Sequence, residues 1–201
     1  MNTMDYAPYV TALKQADCVI FWFVTIHAVQ FINQYSQMGF KMPLVQGGVM
    51  TLGMQNLAEL GDKALNLISC NPYDAYIKGP EVKAWVDRWV KLHGKKSEKE
   101  GRYPYFTEGT AMYAATSIAL QAIEQAKGDT TPAVLRKAFH TGKFKTPWGP
   151  VTFNNGQVGI GNTSILKVVK EGTAYTRTDV HTYQNVLRNE PANAKDAAPK
   201  M

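Results

Sequence analysis

The chain has 201 residues, enough for one domain or for parts of two. Hydrophobic residues make up 45% and charged residues 19%, a composition that supports a packed core and excludes a wholly disordered chain. The net charge of +6 gathers into no binding patch: its tightest run, Lys95, Lys96 and Lys99, is broken by Glu98 and Glu100, reads as a solvated loop, and gives no reason to expect a nucleic-acid partner.

The chain opens as a helix, with Asp5 as N-cap, Pro8 in the first turn, and Val10 and Leu13 on one face. The run Cys18-Val19-Ile20-Phe21-Trp22-Phe23-Val24 has the unbroken apolarity of a strand covered on both faces. The period then changes: Ala28, Phe31, Ile32, Tyr35 and Met38 recur at helical spacing, and Gly39 is the stop. Pro43 precedes a short strand, Leu44 to Gln46, Thr51 caps a helix running to about Gly61, and Ala64 to Cys70 reads as a third strand. Alternating strands and helices with short connections imply right-handed crossovers and a parallel sheet clad by helices, so residues 1–70 are α/β. Ligands of such sheets lie outside the carboxyl ends of the strands. The candidate loops are therefore Thr25-Ile26-His27, Gln46-Gly47-Gly48 and Asn71-Pro72-Tyr73.

The following stretch differs in character. Pro80 opens a helix whose stripe is Val82, Trp85, Val86 and Trp89, stopped by Gly94. A polar loop through Arg102 and Tyr103-Pro104-Tyr105 leads to a long helix, Thr107 to about Lys127, whose face of Ala111, Ala114, Ala115, Ile118, Ala119, Ala122 and Ile123 allows close approach of another element; Gly128 ends it. Thr131 and Pro132 start a third helix with Val134, Leu135, Ala138 and Phe139 inward. Three such helices need a surface to bury against, and residues 72–140 carry no sheet of their own. From Pro147 the pattern is β: Val151-Thr152-Phe153, a turn at Asn154-Asn155-Gly156, a strand from Thr163 to Val169, a turn at Glu171-Gly172 and an extended stretch near Tyr175. Residues 189–201, rich in Ala, Pro, Asn and Lys, are expected to be a disordered tail.

Catalytic patterns are lacking. His27, His93, His140 and His181 show no metal-ligand spacing, and the sequence contains no nucleophile elbow, phosphate-binding loop or CxxC pair; Gly159-Ile160-Gly161 is only the start of a dinucleotide fingerprint and follows a hairpin. No enzyme activity, metal or cofactor is expected. Cys18 and Cys70 lie in apolar runs, where a cysteine usually acts as a small buried hydrophobe, and a disulfide between them is the alternative. No stretch approaches the ~20 apolar residues that span a bilayer, and Met1 to Pro8 have the form of no export signal.

Several segments together resemble the type I periplasmic solute-binding proteins, in particular the leucine/isoleucine/valine-binding family of ABC transporters. They are Asp5-Tyr6-Ala7-Pro8-Tyr9-Val10-Thr11-Ala12-Leu13-Lys14, the helix end Gln37-Met38-Gly39-Phe40, Gln55-Asn56-Leu57-Ala58, Tyr113-Ala114-Ala115 with Ala122-Ile123-Glu124-Gln125-Ala126, and Thr146-Pro147-Trp148-Gly149-Pro150-Val151-Thr152-Phe153 followed by Gly156-Gln157. The resemblance covers residues 5 to about 185 and matches the C-terminal portion of the family. It implies two α/β lobes, with residues 1–70 and 160–185 forming an incomplete lobe two, residues 72–155 giving helices and a hairpin to lobe one, and the sheet of lobe one missing. It implies a periplasmic substrate-binding component of an importer for branched-chain amino acids or related small solutes, with an ABC permease as partner. A ligand-sensing domain of a receptor or regulator on the same fold is the alternative.

The resemblance places the ligand between the lobes, against Thr25, Ile26, His27, Gln46, Gly47, Gly48 and Tyr73. Members that bind α-amino acids usually present an acidic side chain where Gly47 stands here, and a buried ammonium without a counter-charge is costly. Either Gln46 substitutes through its amide oxygen, or the solute lacks an α-amino group, as amides, ureas and aromatic acids do. Thr25 reads equally as a hydroxyl donor or a helix cap, His27 as a carboxylate partner or a satisfied surface histidine, and Tyr73 as a wall of the cleft or as hinge packing. Trp85, Trp89, Met50 and Met54 read as core.

Overall fold

The apolar run near the start of the chain is covered on one side only, and that fact organises the architecture. The computed structural model describes residues 5–13, 16–47, 52–93, 107–154 and 158–187. The elements in order are α1 (Ala7–Thr11), β1 (Val19–Phe21), α2 (Thr25–Gln37), β2 (Leu44–Gln46), α3 (Met54–Leu60), a 3-10 turn (Gly61–Ala64) and β3 (Ile68–Asn71). They continue with α4 (Pro80–His93), α5 (Thr107–Gln125), α6 (Pro132–Thr141), β4 (Phe144–Thr146), β5 (Gly149–Phe153), β6 (Gly159–Glu171) and β7 (Ala174–Leu187). The tail, Gly48, Met50, Thr51, Gly94, the basic run at 95–99, the segment 103–105 and the turn residues Asn155 and Gly156 lie outside the described residues.

One mixed sheet runs β1-β2-β3-β6-β5-β4, with β7 on the other edge of β6. β1, β2 and β3 are parallel, as the alternation of strands and helices requires. β6 is antiparallel to β3 through Asn71↔Ser164 to Ile68↔Lys167, and its first residues pair instead with β5. β7 follows β6 along its length, with register shifts near Gly161 and Ile165.

Within β1, Val19 and Phe21 are buried while Ile20 is 71% exposed and Trp22, just beyond it, 77% exposed. Helices α1, α2 and α3 all pack against the Val19/Phe21 side, where Phe31, Ile32, Tyr35, Leu57 and Leu60 join Leu44 and Val168 in one core. Each fully buried side chain of this size contributes roughly 1.5–3 kcal/mol. The sequence expected both faces of Cys18–Val24 to be covered; among the described residues the second layer is absent, and the strand is shorter. Cys18, expected inside, is exposed, and Cys70 is half-buried.

The other sheet corrections are local. Ala64 to Leu67 reads as strand because Ala64 and Leu67 are buried, yet they close a 3-10 turn, and Asn66 takes φ 67° before β3 begins. The β6–β7 hairpin is longer than the pattern suggested because pairing carries it through polar Asn162, Thr163, Thr176 and Thr178. The helix ends follow the stop signals closely. Gly39 and Gly128 take φ of +79° and +85°, where a side chain would be strained.

Helices α4, α5 and α6 find their burial surface on the hairpin strands. Val82, Trp85 and Ala114 pack with Trp148 and Leu166, and Ile118, Ala122 and Ala138 pack with Phe144 and Val151. Leu92, Met112 and Leu120 remain exposed.

Candidate ligand-binding site

The parallel strands bring the three loops anticipated from the sequence to one end of the sheet. Thr25 and Ile26 form the exposed first turn of α2, with Val24 at the N-cap and no side-chain cap, so Thr25 is not the cap of that helix. His27 is half-buried, and its Nδ1 lies 2.6 Å from the Tyr6 hydroxyl. Burial raises the Tyr6 phenol above its ordinary 10.0. That contact ties α2 to α1.

Gln46 is buried on the helix-covered side of the sheet. It is in register with Phe21, is 2% exposed, and its Nε2 donates to the Phe23 carbonyl at 3.1 Å. Gly47 sits on the opposite face, where a Cβ would stand 3.1 Å from the Trp22 ring and 3.5 Å from Ile20. Gly48 lies outside the described residues. Tyr73 meets the Trp148 ring edge-on at 5.6 Å, and its carbonyl accepts from the Thr110 hydroxyl at 3.0 Å. It also borders a recess of about 130 Å³ shared with Val151, Gly161, Asn162, Thr163 and Val186, so Tyr73 serves packing and borders open space together. The structure therefore gathers the loops but brings only some of their side chains to a common surface.

Between the loops and the helical part lies a buried polar node that sequence reasoning missed. Asp74 is 1% exposed, and its carboxylate accepts from Arg177 Nη1 at 3.2 Å, Asn71 Nδ2 at 2.5 Å and the Tyr76 backbone N–H at 3.0 Å. Its own carbonyl accepts from Trp148 Nε1 at 2.7 Å. Arg177, 3% exposed, stacks over the Tyr76 ring at 4.7 Å, and its Nε and Nη2 make no hydrogen bond. The node joins β3, the segment leading into α4, the β4–β5 turn and β7. The Asn71-Pro72-Tyr73-Asp74 run did signal a turn; nothing near Arg177 signalled its partner 103 residues away.

Among the described residues no group of three His, Cys, Asp or Glu side chains converges as a metal site, and no helix is long and apolar enough to cross a membrane. Parallel strand ends opening on loops, next to chain segments that pass into a second helical group, define an α/β ligand-binding fold. The chain belongs to the periplasmic binding protein family, whose model matches residues 1–173. No curated protein sequence matches it. Among solved structures, an ABC transporter substrate-binding protein from Sphaerobacter thermophilus is similar at 25% identity and a TM-score of 0.79, over 92% of this chain and 50% of that one. A solute-binding protein of an ABC transporter from Rhodopseudomonas palustris BisB5, in complex with 3,4-dihydroxy benzoic acid, is similar at 20% identity and 0.73, over 94% and 51%. The leucine-, isoleucine-, valine-, threonine- and alanine-binding protein from Brucella ovis, in its closed conformation, is similar at 17% identity and 0.74, over 92% and 48%. The chain thus spans about half the length of the solved structures that it matches.

Proposed function

We propose that this chain is part of the substrate-binding component of an ABC importer, acting in the periplasm and handing a small solute to a membrane permease. The work is binding without chemistry. Residues 1–70 and 160–185 belong to one lobe, and residues 72–155 give helices and a hairpin to the other, with the node at Asp74 where the chain passes between them. Thr25, Ile26, Gly47 and Tyr73 face the solute, and His27 supports the turn that carries two of them.

The observation that carries the choice of solute is the burial of Gln46. Of the two ways to manage without an acidic side chain at Gly47, substitution by the Gln46 amide oxygen is disfavoured, because that side chain is 2% exposed. The loops 22–27, 46–53 and 71–78 contain one carboxylate, Asp74, and Arg177 engages it. A solute ammonium would meet no counter-charge there. The solute we propose is an un-aminated carboxylate or amide, and benzoates are its nearest examples, since a structure of similar fold holds 3,4-dihydroxy benzoic acid.

A thermal-shift panel of benzoate, 4-hydroxybenzoate, 3,4-dihydroxybenzoate, benzamide, leucine and valine tests this. Stabilisation by ligand follows RT ln(1 + [L]/Kd), so about 2.7 kcal/mol is available at a hundredfold excess over Kd. The aromatic acids or the amide are expected to raise the melting temperature, and leucine and valine to leave it unchanged. A clear rise with leucine or valine overturns the choice of solute, and no rise with any member overturns solute binding by this chain.

A further inference from the structure

A recess of about 350 Å³ lies between α6 and β5, lined by Leu135, Arg136, Phe139, His140 and Phe153. None of these residues belongs to the three strand-end loops, and the volume falls at the lower end of the range for small-molecule sites. On α6, Leu135 and Phe139 are four residues apart, and so are Arg136 and His140, so an apolar pair and a basic pair run side by side along the helix. Behind them the rings of Phe139, Phe144 and Phe153 meet one another with centroids 5.7 to 5.9 Å apart. Phe144 is fully buried, so this apolar wall is packed in place. Two polar groups of the recess are left unpaired. The Arg136 guanidinium is exposed and makes no hydrogen bond or ion pair among the described residues. His140 Nδ1 is shut away from solvent with no hydrogen-bond partner, a costly condition for a polar atom. From Thr130 to Lys170 the sequence contains no Asp or Glu, so neither α6 nor the strands that follow it, up to the last residue of β6, bring a carboxylate to meet them.

We propose that this recess binds a small amphipathic carboxylate, with its apolar body against Leu135, Phe139 and Phe153 and its carboxylate held by Arg136 and His140. The guanidinium presents a planar fork of N–H donors that matches a carboxylate, and it keeps its charge throughout the physiological range. A turn of the imidazole about its Cβ–Cγ bond gives the unmet Nδ1 to the same carboxylate. One guanidinium and one imidazole suit a single negative charge, whereas a phosphomonoester carries nearly two at neutral pH and would ask for more cations than line the recess. A neutral apolar ligand would leave both polar groups as they are. The inference does not rest on the solute proposed for the strand-end loops.

The full 201-residue chain is titrated with octanoate and, separately, with octanol, while the ring signals of its 4 histidines are followed by proton NMR. The His140 signal is the one missing from His140→Gln. Octanoate is expected to displace that signal saturably, and octanol to bind at least about tenfold more weakly, as loss of a charged hydrogen bond implies. Arg136 is exposed and unpaired, so Arg136→Gln should fold as the parent does while weakening octanoate by about tenfold or more. Leu135→Glu, which sets a like charge beside the acid, should abolish the displacement. Lys83→Gln, which removes a lysine paired with Asp87 on α4, should change nothing. An unmoved His140 signal at millimolar octanoate overturns the proposal, as does an Arg136→Gln protein that binds octanoate as tightly as the parent, or octanol that binds as tightly as octanoate. Equal displacement of all the histidine signals, the mark of a detergent acting on the whole chain, overturns it too.

Discussion

Removing Asp74 should be worse than removing its partner Arg177. Breaking a buried pair by deleting one member costs about 3–5 kcal/mol, because the other charge is left desolvated and uncompensated. In Asp74→Ala the stranded group is a guanidinium that cannot shed its proton, already with Nε and Nη2 unbonded. A loss of about 4 kcal/mol is expected, which in a chain of this size is a fall of roughly 8–16 °C in melting temperature. In Arg177→Met the carboxylate keeps the Asn71 and Tyr76 donors, so the expected loss is about 2 kcal/mol, near that of one charged hydrogen bond. The double variant Asp74→Ala/Arg177→Met removes the stranded charge and should be no less stable than Asp74→Ala alone. Urea unfolding of the four proteins, read as midpoints at constant slope, gives the comparison. A larger loss for Arg177→Met than for Asp74→Ala, or a double variant whose loss is the sum of the two, would refute the reasoning.

Two further outcomes follow from local geometry. The Asp62 carboxyl is held below its ordinary value of 3.8, first by the Tyr175 hydroxyl and then by Lys170. A depressed folded-state value stabilises above the unfolded value and loses that contribution as pH falls through the folded one; the midpoint difference between the parent and Asp62→Asn should thus be present at neutral pH and vanish in acid below the ordinary value, and a difference growing in acid would contradict it. At Gly142 a Cβ would stand 2.5 Å from Phe144, 2.6 Å from the Ala138 carbonyl and 2.7 Å from Gln125, whereas at Gly128 it would meet nothing within 4 Å. Gly142→Ala should therefore cost about 1–3 kcal/mol by overpacking and Gly128→Ala only about 1 kcal/mol by backbone strain, an order that urea midpoints check directly.

The helices were legible because their signals are local. The spacing of Phe31, Ile32 and Tyr35, Pro80 at the head of α4, Gly39 and Gly128 past helix ends, and Pro132 in the first turn of α6 each act within a few residues. Strand burial was less legible: Cys18–Val24 shows what the residues could bury, but not whether a layer is present to bury them. The same limit applies to the site. The three loops could be placed from strand ends alone, yet which side of the sheet Gln46 takes depends on its register with Phe21, a contact 25 residues distant. Asp74 and Arg177 meet only through the β6–β7 pairing, and the sequence near either one gives no hint of the other.

Gly47 is closely approached on the open face of the sheet. It stands on the open face at a strand end, where an added Cβ would come within 3.1 Å of the Trp22 ring. A side chain there would press on that ring first.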